Sequence, residues 1–185
     1  MLESLISSKT RLKMLLKFFV NPDNSAYLRG LAAEFSESTN AVRLELNRFE
    51  EAGLLQSEES GNKRIYQANQ RHPLFGDIRS IMLKHVGIDR IIENLIERLG
   101  HVQRVYVCGD LAQGTVGNLI DLLIFSNVDR TYLGELVEKA ERLLDRKIRY
   151  VLYDPDELLE EVHGDGPALL IWEAADVPES TTPEP

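Results

Sequence analysis

The stretch that decides the fold is residues 36–67, which read SESTNAVRLELNRFEEAGLLQSEESGNKRIYQ. Its first half carries apolar residues at the spacing of one buried stripe on a helix: Val42, Leu46 and Phe49. Gly53 follows at the place where a left-handed residue caps a helix. Two short apolar runs then flank Ser60-Gly61-Asn62, a sequence typical of a turn between strands. The stretch therefore predicts a helix followed by a β-hairpin.

The side of this helix opposite the apolar stripe carries side chains that suit DNA. Arg and Asn are the residues that hydrogen-bond to guanine and adenine edges in the major groove. Two cations beside the hairpin turn are placed to contact phosphates. The candidate residues for binding double-stranded DNA are Ser38, Thr39, Asn40, Arg43, Asn47, Lys63 and Arg64. The alternative is a solvated helix face and an exposed hairpin.

Two more helices are predicted upstream of this stretch. Residues 9–19 carry apolar residues at helical spacing, and Asn21-Pro22 stops that helix. Residues 25–35 predict a second, shorter helix. Three helices and a hairpin within residues 1–70 are the order of a winged-helix domain. Such domains also serve in protein–protein contact, so the order alone does not establish DNA binding.

The next segment predicts two linking helices, residues 74–85 and 88–99, parted at Gly87. The first carries one apolar stripe: Leu74, Ile78, Ile81 and Met82. The second is richer in isoleucine and leucine than a solvated linker needs, so it must pack against another domain or another subunit. Both a core within the chain and the seam of a homodimer fit this pattern.

From residue 101 the apolar pattern changes to short runs that predict strands. They cover residues 103–108, 119–125 and 148–153, with a helix over residues 129–144 and a last strand or buried segment over residues 168–172. Asp154-Pro155-Asp156-Glu157 carries the residues that open a helix. Residues 176–185 have the composition of a disordered tail.

Residues 105–125, VYVCGDLAQGTVGNLIDLLIF, resemble the nucleotidyltransferase fold. In that family a strand ends in a glycine turn, a short helix follows, and the next strand carries two metal-binding carboxylates spaced by two. Gly109, Gly114 and Asp121 fit this pattern. Two metals held by carboxylates are what the transfer reaction requires. The resemblance marks Gly109, Asp110, Gly114 and Asp121 as a possible vestigial nucleotide site.

The departures from that family predict a domain without catalysis. Asp110 stands where serine would contact phosphate, and Leu119 stands where the first carboxylate belongs. One carboxylate cannot build a two-metal site. Plainer interpretations exist for the residues that remain: Asp121 as a hydrogen-bonded strand residue, the glycines as a tight turn, and Asp110 as a helix cap.

The whole chain resembles ArsR-like winged-helix regulators fused to a nucleotidyltransferase-like domain, over roughly residues 8–172. The resemblance implies an α+β fold. We expect a winged-helix domain over residues 1–70, linking helices over 71–100, the nucleotidyltransferase-like domain over 101–175 and a tail over 176–185. It also implies a transcriptional regulator.

The net charge of −9 is unevenly distributed. Residues 1–70 hold nine basic and nine acidic side chains, so all the excess acid lies beyond the predicted DNA reader. A neutral reader predicts weak binding away from its specific site, because phosphate neutralisation supplies most nonspecific affinity. The chain has no apolar run of membrane-spanning length and no signal-peptide pattern, and it has one cysteine, Cys108. We therefore expect a cytoplasmic protein.

We expect neither a metal nor a cofactor, because the four histidines have no metal-ligand spacing and no companion cysteines. The leading hypothesis is a DNA-binding regulator that acts as a homodimer, with an unidentified small-molecule or nucleotide effector. Its second domain would serve dimerisation or sensing. The alternatives are a minimal nucleotidyltransferase that modifies a partner protein and an antitoxin-like interaction adaptor.

Overall fold

The computed structural model describes residues 2–164 and 166–174 and confirms an α+β fold. The first half contains three helices, α1 (Lys9–Phe19), α2 (Leu28–Phe35) and α3 (Thr39–Glu51). Its three-stranded sheet has the order β1-β3-β2, from β1 (Ser25–Tyr27), β2 (Leu55–Ser60) and β3 (Lys63–Ala68). A 3-10 turn, Leu2–Ser4, precedes α1.

The predicted helix over residues 25–35 begins three residues late. Ser25–Tyr27 forms β1, which pairs antiparallel with β3 so that Ser25 lies opposite Gln67 and Tyr27 opposite Ile65. The pairing gives hydrogen-bond partners to the edge of β3 that β2 leaves free. The chain therefore stays extended until Tyr27 and turns helical only at Leu28.

The apolar stripe of α3 packs inward as predicted. Val42, Leu46 and Phe49 are at most 6% exposed and lie against residues of α1 and α2. Gly53 adopts a positive φ of 72° just past the end of α3, which is the left-handed position expected of it. The hairpin of β2 and β3 turns at Gly61-Asn62. Burial of this one stripe fixes which side of α3 stays in contact with water.

The linking helices are α4 (Phe75–Val86), α5 (Ile88–Ile91) and α6 (Glu97–Leu99), with a π-helical segment, Ile92–Ile96, between the last two. Gly87 parts α4 from α5 with a φ of 87°. The stripe predicted for α4 is partly wrong: Met82 is buried, whereas Leu74 and Ile81 are about half exposed. The isoleucines and leucines of residues 88–99 are mostly buried inside the chain, so they form an intrachain core.

The second half is a four-stranded sheet with the order β6-β5-β4-β7. Its strands are β4 (Val102–Cys108), β5 (Leu119–Ser126), β6 (Lys147–Tyr153) and β7 (Ala168–Glu173), and its helices are α7 (Gly109–Ala112), α8 (Arg130–Leu144) and α9 (Leu159–His163). Only the β5–β6 pair is parallel among these strands. The parallel pair requires a crossover, and α8 supplies it.

The prediction that a helix begins at residue 154 is wrong in its first residue. Asp154 donates its backbone N–H to the Glu157 carboxylate at 2.8 Å, which closes a turn. The chain is then extended at Leu158, and α9 begins only at Leu159. This detour brings Leu159 and Val162 onto the sheet face formed by Cys108, Leu123 and Phe125.

The two halves meet directly at α1. The Asn21 side chain donates to the carbonyl of Ala112 at 2.8 Å, and this contact is buried. One continuous core of buried residues runs from Leu2, before α1, to Leu169 in β7. Within the part of the chain described, no helix is long and apolar enough to cross a membrane. The predicted tail, residues 176–185, lies outside the described residues.

Candidate nucleic-acid interface

A helix–turn–helix unit presents α3 at the surface. Ser36 ends α2 in the left-handed conformation, with a φ of 55°. Two residues later Ser38 caps α3 by accepting a hydrogen bond from the backbone N–H of Ala41 at 3.1 Å. The predicted contact residue Ser38 therefore uses its hydroxyl to begin the helix. Thr39 remains exposed at the first helical position.

The outer side of α3 is a row of exposed side chains that we call the α3 polar row: Asn40, Arg43 and Asn47. None of the three has a hydrogen-bond or ion-pair partner among the described residues. Leu44 lies beside them and is 51% exposed. Unpartnered Arg and Asn side chains next to one apolar group match the donors, acceptors and methyl groups of a DNA major groove.

A buried carboxylate, which sequence reasoning missed, anchors the inner side of α3. Glu45 is only 4% exposed. It accepts hydrogen bonds from Arg11 at 2.9 Å, from the hydroxyl of Ser8 at 3.1 Å and from Arg48 at 3.1 Å. Its position next to Leu46 on the apolar stripe was the available signal, because a charged residue there must find a partner.

The network around Glu45 keeps this carboxylate charged. Burial raises the pKa of Glu45, but the hydrogen bonds from Arg11 and Ser8 and the charges of Arg11 and Arg48 outweigh burial. The net pKa of Glu45 lies below its usual range. Arg11 belongs to α1, and Ser8 caps that helix. The carboxylate of Glu45 therefore joins α1 to α3 and fixes the angle between the two helices.

The β2–β3 hairpin carries both cations predicted to contact phosphates, Lys63 and Arg64, but the two cations have different partners. The Lys63 ammonium lies 4.3 Å from the centre of the Tyr27 ring, a cation–π contact that leaves its charge unneutralised. Arg64 instead pairs with the carboxylate of Glu50 at 2.6 Å and donates to the Ser57 hydroxyl at 2.8 Å. Arg64 is thus directed back toward α3, whereas Lys63 keeps a free charge.

The hairpin also carries acid. Glu58 and Glu59 are exposed on β2, and Glu59 stands directly opposite Arg64 in the strand register. The hairpin therefore has no excess positive charge. Any attraction to DNA phosphates must come from Lys63 itself and from the helix.

The second half places three of its four predicted residues near one another and turns the fourth away. Asp121 on β5 pairs with Arg149 on β6, with 2.5 Å between the carboxylate oxygen and the guanidinium Nε. Gly109 lies against the same carboxylate: a Cβ there would stand 2.9 Å from the Asp121 Oδ2 atom. Asp110, next to Gly109, is exposed on α7.

Gly114 does not lie in this site. It adopts a φ of 80°, and a Cβ there would stand 2.5 Å from the Cα of Lys17. A glycine at this position therefore allows the turn to pack closely on α1, and the neighbours of Gly114 in the structure are backbone atoms of α1. Leu119, at the position of the missing carboxylate, is exposed on β5.

Among residues 2–164 and 166–174, no group of three or more His, Cys, Asp or Glu side chains is placed to hold a metal ion. Cys108, next to Gly109, is buried as predicted. Burial, with a smaller effect from the Asp121 charge, raises the pKa of its thiol to about 11. The thiol is therefore neutral and a poor ligand at physiological pH.

Comparison with known proteins gives only partial likenesses. No known protein family and no curated protein matches the chain. Among solved structures, reduced HlyU from Vibrio cholerae N16961 is 15% identical over 46% of this chain and 85% of its own, with a TM-score of 0.38. A mutant of the toxin–antitoxin MntA-HpeT is 21% identical over 48% of this chain and 73% of its own, with a TM-score of 0.37. AF1382 from Archaeoglobus fulgidus is also 21% identical, over 50% of this chain and 97% of its own, with a TM-score of 0.37.

Proposed function

We propose that this protein is a transcriptional regulator that reads double-stranded DNA with α3. The α3 polar row carries the proposal: Asn40, Arg43 and Asn47 are exposed, unpartnered among the described residues and aligned on the side of the helix away from the core. Arg and Asn left without partners at a helix surface gain nothing for the fold. They do match the groups that guanine and adenine present in the major groove.

The dimensions of α3 suit this role. Its 13 residues span about 20 Å at the rise of an α-helix, and the major groove is about 12 Å wide and admits one helix. Residues near the N-terminus of such a helix contact base edges. Asn40 and Arg43 lie in that part of α3, and Thr39 is exposed beside them to reach a phosphate.

The test is a fluorescence-anisotropy titration of duplex DNA from the protein's own promoter region. Arg43→Ala should weaken specific binding by about 1–3 kcal/mol, which is the value of one bidentate base contact. Arg130→Ala is the matched control, because Arg130 is exposed at the start of α8, far along the chain from the α3 polar row. Absence of binding at low salt would contradict the proposal and favour an interaction adaptor.

A homodimer is part of the proposal, because a reader of two-fold DNA sites needs two copies of α3. The isoleucines and leucines of residues 88–99 do not support it, since the chain's own core buries them. Two exposed apolar residues elsewhere do support it: Leu74, at the N-cap of α4, and Val151 on β6. Sedimentation equilibrium at micromolar concentration should give twice the chain mass, and a monomer mass would contradict this part.

We further propose that the second half does not transfer nucleotides. The guanidinium of Arg149 pairs with the carboxylate of Asp121, and Leu119 supplies no second metal ligand. The check is incubation with labelled nucleoside triphosphates and magnesium or manganese, with and without cell lysate. Label transfer that disappears in Asp121→Ala would overturn this proposal and support an enzyme.

A further inference from the structure

A groove of about 440 Å³ lies where the N-terminal segment, the α4–α5 junction and the end of α8 meet. Its volume falls within the range of small-molecule sites. The floor is apolar and includes Leu2, Ile81 and Leu144. The rim is basic and carries Lys84, Arg90 and Arg146, together with His85. An apolar floor below a cationic rim is the composition of a site for an organic anion.

The rim cations are held in place without being neutralised. Arg146 donates to the carbonyl of Val86 at 3.1 Å, and Arg90 donates to the carbonyl of Leu143 at 3.2 Å. Each guanidinium has five N–H donors, so most of them stay available after one backbone hydrogen bond. Lys84 is exposed and has no partner among the described residues.

These three cations have no counter-charge among the described residues that line the groove. None of the described residues that line it is Asp or Glu. Burial alone lowers the pKa of Arg146, with no acidic side chain raising it. Arg146 is half-buried, and a half-buried cation without a counter-charge is costly, so an anionic ligand would relieve that cost.

We propose that the groove binds a small organic anion with an apolar body, such as a medium-chain carboxylate, as the effector of the regulator. The apolar body would lie on Ile81 and Leu144, and the carboxylate would face Lys84 and the two guanidinium groups. The role as effector rests on the proposed function. The binding itself does not, because the groove lies away from the α3 polar row.

The location of the groove explains how a ligand there would act on the whole chain. Gly87, in the left-handed conformation, forms the joint between α4 and α5, and a Cβ there would collide with the Leu144 side chain. Helix α4 packs on α1 of the DNA-reading half, whereas α8 belongs to the second half. A ligand on Ile81 and Leu144 therefore touches α4, which packs on the first half, and α8, which belongs to the second half.

The experiment measures the binding of two probes of equal length, octanoate and octanol, to the full chain. Titration calorimetry without DNA gives the affinity of each probe. Octanoate should bind more tightly than octanol, and added salt should reduce the difference. Lys84→Gln should weaken octanoate about fivefold, the value of one partly exposed ion pair, and leave octanol unchanged. Lys139→Gln, an exposed lysine on the outer side of α8, is the matched control and should change neither.

Ile81→Trp is the second variant. Ile81 lines the groove and is 47% exposed, so a larger ring there fills space without removing a charge. It should abolish binding of both probes while the far-ultraviolet circular dichroism stays that of the native chain. The proposal is overturned if octanoate does not bind, if both probes bind equally, or if Lys84→Gln behaves like Lys139→Gln. Since no DNA is present, such failure leaves the proposed reading of DNA by α3 untouched.

Discussion

Replacing Gly114 with alanine tests the joint between the two halves of the chain. Gly114 has a φ of 80°, and an added Cβ would lie 2.5 Å from the Cα of Lys17 and 2.8 Å from the carbonyl oxygens of Leu16 and Lys17. All three atoms belong to the backbone of α1. A flexible side chain could rotate away from the new methyl group, but a helix backbone cannot.

The expected loss of stability has two parts. A residue with a side chain in the left-handed conformation costs about 1–2 kcal/mol. Forcing a methyl group into filled space costs about 1–3 kcal/mol more. Gly114→Ala should therefore lower the free energy of unfolding by about 2–5 kcal/mol, which for a chain of this length lowers Tm by roughly 4–20 °C.

Gly61→Ala separates these two parts. Gly61 also has a positive φ, 61°, but a Cβ there meets nothing within 4 Å. It should lose only the conformational part, about 1–2 kcal/mol. Urea unfolding followed by circular dichroism measures both variants. Equal losses for Gly114→Ala and Gly61→Ala would refute the close approach of the turn to α1.

Three further outcomes follow from the first half and from Cys108. Glu45→Gln should destabilise the chain by about 1–3 kcal/mol at pH 7. Since the folded pKa of Glu45 is lowered, its contribution is present above the unfolded pKa of about 4.3 and is lost as the pH falls through the folded pKa, so urea unfolding near pH 3 should show a smaller difference. With a thiol pKa raised to about 11, Cys108 should react with iodoacetamide at least about 100-fold more slowly in the folded chain than in urea at mildly alkaline pH. Lys63→Ala should reduce the salt dependence of DNA binding by about one phosphate contact, and Arg64→Ala by less, because Arg64 is paired with Glu50; equal slopes would contradict the difference between the two cations.

Local periodicity explains why α3 could be predicted from the sequence. Val42, Leu46 and Phe49 repeat within seven residues, and the polar row on the other side follows from the same geometry. Strand β1 could not be predicted in this way. Its reason to be extended is pairing with β3 some forty residues later in the chain, as in Ser25 opposite Gln67, and no local pattern records such a partner.

The apolar content of a helix likewise predicts that the helix is buried, but it does not predict which other element buries it. Residues 88–99 suited a core and a dimer seam equally, and the structure uses them inside the chain. The stripe of α4 shows the opposite case, because Leu74 and Ile81 have the right spacing but lie about half exposed. Partners distant in sequence decide both outcomes, so periodicity cannot distinguish them.

Gly114 shows how a motif can give the right conformation and the wrong partner. The resemblance required a glycine with unusual backbone freedom, and the φ of 80° meets that requirement. The group that approaches it is the backbone of α1, where the motif would place a phosphate. The sequence shows that a glycine is needed at this position, but it does not show which group lies beside it. A phosphate and a helix backbone would both exclude a Cβ.

Arg149 and Leu119 differ in how strongly each would prevent Asp121 from serving in a two-metal site. The Asp121–Arg149 pair is exposed on the arginine side, so water screens it and it contributes little to stability. A divalent cation that found a complete set of ligands would gain far more than that, so the guanidinium by itself is a weak barrier. Leu119 removes the second carboxylate outright, and no neighbouring acidic cluster in the described part of the chain replaces it. Leu119, more than Arg149, is therefore the residue on which the proposed absence of nucleotidyl transfer depends, and Arg149 supplies the remaining carboxylate with a partner.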